Sequence, residues 1–81
     1  MDNINEVNAI VEVIDGKEVG IMGIFMEGVI FPAVYGGKNP EVFPYMMKAA
    51  QKGVDLHKED GEDYKAVAVK FKVREFVKEI S

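Results

Sequence analysis

From Val7 to Ile14 the chain alternates: Val7, Ala9, Val11 and Val13 fall on one side of an extended backbone, Asn8, Ile10, Glu12 and Ile14 on the other. Period-two alternation predicts a strand with one apolar face and one mixed face. Asp15-Gly16 follows, a dipeptide suited to the positive φ angles of a two-residue hairpin turn, and Lys17-Glu18 leads into the next element. A two-residue turn pairs Val13 with Glu18, whereas a three-residue turn opposes Glu12 to Glu18. The pattern leaves both registers open.

Val19 to Tyr35 is a run in which Glu27 is the only charged residue. A membrane-spanning helix needs about 18–20 uninterrupted apolar residues, and here Gly20, Gly23, Gly28, Pro32 and the central Glu27 break the run. Two strands, Val19 to Met26 and Val29 to Tyr35, joined by a tight turn at Glu27-Gly28, account for it better. Pro32 donates no ladder hydrogen bond and so marks an edge or a bulge. In the first strand Val19, Ile21 and Phe25 alternate with Met22, Ile24 and Met26, so both faces are apolar. A strand of that kind is usually covered on both sides, and one helix covers only one.

Gly36-Gly37-Lys38-Asn39-Pro40 reads as a turn into a helix, with Asn39 at the N-cap and Pro40 in the first helical position. Pro44 offers a second starting point, because inside a helix it removes a backbone bond. Val42, Phe43, Met46, Met47 and Ala49 or Ala50 make an apolar stripe, with Lys48, Gln51 and Lys52 facing water. Gly53 is expected to stop the helix in a left-handed conformation. His57 to Asp63 has no apolar residue and reads as an exposed loop. Tyr64 to about Val73 alternates again, predicting a strand, while Val73, Phe76, Val77 and Ile80 fall at helical spacing and leave the last segment open between strand and short helix. Residues 1–6 form a polar lead-in, with Ile4 a potential extension of the first strand. The whole of residues 1–81 is then a single α+β domain of order β-β-β-α-β: a small antiparallel sheet of about four strands with one helix on one face.

Composition supports more strand than helix, since Val and Ile number nineteen and Leu56 is the sole leucine. At 81 residues the core is small enough for oligomerisation to add useful burial. The net charge is −4, and residues 1–41 carry seven acids against two bases, residues 42–81 seven against eight. That balance argues against general nucleic-acid binding, although Lys70, Lys72 and Arg74 fall on one strand face, with Lys65 at the exit of the loop before it. The absence of cysteine removes disulfides, thiolate catalysis and cysteine metal sites. The polar start lacks the features of a secretory signal, and the expectation is a soluble cytoplasmic protein with no membrane partner.

Catalytic chemistry finds few groups. There is no threonine and the only serine is Ser81, so the usual hydroxyl and thiol nucleophiles are missing. His57, the only histidine, has only local acids beside it and reads as a solvated loop residue. The segment from Asp55 lacks the spacing of a calcium loop, with Asp60 where glycine is needed and Ala66 where a bidentate acid is needed. No metal or cofactor is expected. An anion could meet Tyr35, Lys38 and Asn39 at the strand-to-helix loop, where amides face a helix N-terminus. The leading expectation is a non-enzymatic interaction module, a homodimer using Met22, Ile24, Phe25, Met26, Ile30 and Phe31 of the central strands or the sheet face left open by the helix. The alternatives are an acidic inhibitor of a basic site on another protein, using Glu6, Glu12, Asp15, Glu18, Glu27 and Glu41, and a small-anion or enzymatic site at Lys38, Asn39 and Tyr35.

Overall fold

A computed structural model of the chain describes residues 7–70 and 75–81. Ile4, Phe71, Lys72, Val73 and Arg74 lie outside the described residues. The fold is α+β and antiparallel, with one helix between strands: β1 (Asn8–Ile14), β2 (Lys17–Ile21), β3 (Gly23–Met26), β4 (Val29–Pro32), β5 (Val34–Tyr35), α1 (Val42–Glu59), β6 (Tyr64–Lys70) and β7 (Glu75–Ile80). A five-stranded sheet has the order β2-β1-β6-β7, with β5 also paired to β1, while β3 and β4 form a separate two-stranded ribbon.

The most regular strand in the sequence is the middle of the sheet. On one edge β1 pairs with β6 from Asn8↔Lys70 to Ile14↔Tyr64. On the other edge it changes partner, pairing with β2 from Val11 to Ile14 and with β5 at Asn8 and Ala9. Both expected hairpin turns form: Asp15 and Gly16 have φ of 52° and 79°, Glu27 and Gly28 of 52° and 80°. Positive φ at both central residues is the type I′ combination, whose twist matches that of the flanking strands. The two-residue turn sets Val13 opposite Glu18, and a bulge at Val19 then brings Glu12 opposite Gly20.

The Val19–Tyr35 run is four short strands rather than two. It breaks at Met22 and at Ala33, where the chain leaves β1 and rejoins it. Three backbone bonds close a ring at this point: Met22 N–H donates to Ile10 O at 2.8 Å, Ile10 N–H to Ala33 O at 2.9 Å, and Ala33 N–H to Met22 O at 2.8 Å. All three residues are buried, so their peptide groups need these partners. The ring roots the β3–β4 ribbon on the sheet.

The helix also departs from the pattern. Pro44 is its third residue, where a backbone N–H would have no intrahelical acceptor, so the proline removes nothing. Gly53 does not end it; α1 runs on through His57 to Glu59, which places the first part of the expected acidic loop in the helix. The stop is Gly61, at φ 78°. Gly61 N–H donates to Lys58 O at 3.0 Å and Glu62 N–H to His57 O at 3.3 Å, the paired bonds of a Schellman cap. Phe43, Met46, Ala50 and Val54 are its buried stripe and join Ile10, Met22, Ile24, Ala33, Tyr64, Ala66, Ala68 and Ile80 in the core. A smaller cluster of Ala9, Val11 and Val69 lies on the other side of the sheet. The last segment is a strand, β7, antiparallel to β6.

Candidate functional site

The β3–β4 ribbon divides the expected interface residues by face. Ile24 is opposite Phe31 and Phe25 is opposite Ile30, and strand side chains alternate. Ile24 and Met26 therefore turn inward: Ile24 is 2 % exposed and Met26 packs half-buried against the core. Phe25 and Ile30 turn outward, at 68 % and 71 % exposure. Ile30 also lies over Gly23, whose missing Cβ leaves room for it. Phe31 is exposed at the margin of the inner face, as is Val29, which sequence pattern did not single out. Met22 is buried at the root beneath α1 and offers no surface to a partner.

This arm has the features of a contact surface. Each strand is hydrogen-bonded on one edge only, because the ribbon has two strands. The segment Gly23–Pro32 carries one charge, Glu27, at the turn, so no lysine guards its edges in the manner of many solvent-facing edge strands. A ribbon of two strands is marginal alone in water; here its inner face rests on α1 and its base is held by the Ile10–Met22–Ala33 ring. Among the described residues the outer face has no such cover.

The open face of the main sheet is a weaker candidate. Cross-strand partners place Val34, Ala9, Val69 and Phe76 in one row and Ile21, Val11 and Val67 in the next. Ala9, Val11 and Val69 are already buried, leaving Val34 and Phe76 at its edges as the exposed large side chains. Lys65 pairs with Glu79 at 3.1 Å, a polar cross-strand contact between β6 and β7.

At the strand-to-helix loop, Tyr35 and Asn39 come together and bond within the loop. Asn39 N–H donates to the Tyr35 hydroxyl at 3.1 Å. The Asn39 side-chain oxygen accepts from Glu41 N–H at 3.0 Å, and its carbonyl from Val42 N–H at 3.3 Å. The Tyr35 ring occupies the space a Cβ at Gly37 would need. Asn39 thus orders the entry to the helix from two residues before its N-cap, Glu41, which makes no side-chain cap of its own.

His57 sits at the end of α1, its ring stacked on Tyr64 with centroids 3.9 Å apart and Nδ1 3.2 Å from Glu62 Oε2. The Tyr64 hydroxyl donates to Glu12 Oε2 at 2.8 Å. Burial, then the hydrogen bond and charge of Glu12, then Glu62, hold the Tyr64 hydroxyl well above the usual tyrosine pKa. The chain of contacts ties the helix end to the central strand. Among the described residues no three histidine, aspartate or glutamate side chains are grouped to hold a metal ion, and no helix is long and apolar enough to cross a membrane.

A shallow groove of about 340 Å³ runs between α1 and β7, lined by Pro44, Met47, Lys48, Gln51, Lys78 and Ile80. Sequence pattern could not find it, because Lys48 and Lys78 belong to different elements. The chain matches no known protein family, no curated protein and no solved structure.

Proposed function

We propose that the chain is a non-enzymatic interaction module that pairs with a second copy of itself through the outer face of the β3–β4 arm. The observation that carries this is the exposure of Phe25 and Ile30, cross-strand neighbours at 68 % and 71 %, on a ribbon whose other face seats Ile24 and Met26 against the core. Fully burying such a side chain contributes about 1.5–3 kcal/mol, and a two-fold pair would bury four of them. A contact of standard size takes about 800 Å² from each partner, roughly a seventh of the 5590 Å² surface. The arm supplies the apolar centre that such an interface needs.

Sedimentation equilibrium at tens of micromolar tests the proposal. The expected result is a dimer for the native chain and a monomer for Phe25→Asp/Ile30→Asp, with unchanged far-UV circular dichroism. A native chain that stays monomeric over that range contradicts it.

A further inference from the structure

The groove between α1 and β7 has an apolar floor, with Ile80 buried and Met47 half-buried, and two cations on its rim. Lys48 and Lys78 are exposed and make no hydrogen bond or ion pair among the described residues. Unpaired cations flanking an apolar depression call for an occupant that combines apolar side chains with a carboxylate. At about 340 Å³ the groove lies at the small end of the usual range for pockets, about 300–1,000 Å³, which suits a few side chains of a loop rather than a whole element.

The same chain carries that combination. At the tip of the arm the exposed carboxylate Glu27 lies in a type I′ turn between Phe25 and Ile30. The arm is rooted at Ile10, Met22 and Ala33 beside β2 and β5, whereas β7 is at the opposite end of the sheet order. We propose that the arm tip of one copy seats in the α1–β7 groove of a second, with Phe25 and Ile30 on Met47 and Ile80 and Glu27 between Lys48 and Lys78. Exchanged reciprocally, the contact closes a dimer and is made twice. Of the nearby acids, Glu41 lines the adjoining depression with Pro40, Pro44, Tyr45 and Lys48, and Glu79 is held by Lys65. The inference rests on self-association through the arm and names the surface that receives it.

Charge exchange at exposed positions tests it. Sedimentation velocity is measured for the native chain, Glu27→Lys, Lys48→Glu/Lys78→Glu, the triple variant, and an equimolar mixture of the first two variants, with Phe25→Asp/Ile30→Asp as the arm control. Each charge reversal alone should weaken association by about tenfold or more, as close interfacial charge pairs do. The triple variant and the mixture should both recover, because each restores a lysine tip facing a glutamate rim or the native pairing. If the arm control abolishes association while the charge variants leave it unchanged, the groove assignment is overturned and the arm reading stands. If the native chain and every variant are monomeric, both fall.

Discussion

Gly53→Ala tests the course of α1 by the sign of its effect. Gly53 lies within the helix, six residues before its end at Glu59. A glycine inside a helix costs about 0.8–1.0 kcal/mol relative to alanine. The added Cβ would stand 2.9 Å from the Met22 Cε, a contact too close to keep, but that methyl is the far end of a side chain with three rotatable bonds and moves at small cost. The net expectation is a gain of roughly 0.5–1 kcal/mol, a rise in Tm of about 2–8 °C for a domain of this size. Urea unfolding followed by far-UV circular dichroism reads the change. A helix that ended at Gly53 in a left-handed conformation would give the opposite sign, because alanine is strained there. A loss of about 1 kcal/mol or more therefore refutes the reasoning. A cycle with Met22→Ala shows whether the methionine is the obstacle.

Within the arm, adjacent residues should behave oppositely. Ile24→Ala empties a fully buried position and should cost about 2–4 kcal/mol in urea unfolding, whereas Phe25→Ala should stay within about 0.5 kcal/mol for the monomer and weaken association instead. Tyr64→Phe removes the hydroxyl donated to Glu12 and should cost about 1 kcal/mol at neutral pH. The folded state raises the Tyr64 pKa above its unfolded value of about 10, so the stability from this group is complete below that pH and is lost as pH rises beyond it. Unfolding measured between neutral and strongly alkaline pH should therefore show a steeper decline for the native chain than for Tyr64→Phe; parallel declines contradict that role. Asn39→Ala should cost about 0.5–1.5 kcal/mol through the lost acceptor for Glu41 N–H, read by thermal unfolding.

The sequence disclosed most where one residue has one conformational answer. Asp15-Gly16 and Glu27-Gly28 are turns because Gly16 and Gly28 take positive φ freely, and β1 keeps Ala9, Val11 and Val13 at every second position. What escaped depends on partners distant in the chain. Gly53 and Gly61 are equally able to end a helix, and the choice falls to the residue that completes the cap at His57 and Lys58, while Gly53 lies against Met22. The breaks at Met22 and Ala33 have no local signature; both follow from Ile10 serving two chain segments on one edge. Phe76, Val77 and Ile80 imitate helical spacing because a bulge at Val77 interrupts the alternation of β7, placing Phe76 opposite Val69 and Lys78 opposite Ala68. The apolar arm was visible as a run without charges, but only pairing shows that Phe25 and Ile30 face outward while Ile24 does not. The groove required Lys48 and Lys78 to be seen together.

The most direct test of the arm as the self-association surface is a dilution series of amide and methyl NMR spectra, from hundreds of micromolar to a few micromolar. Shifts that move with concentration should cluster on Phe25 to Phe31 and on Met47, Lys48, Lys78 and Ile80. Spectra independent of concentration, or shifts confined to Val34, Val67 and Phe76 on the open sheet face, would contradict the account.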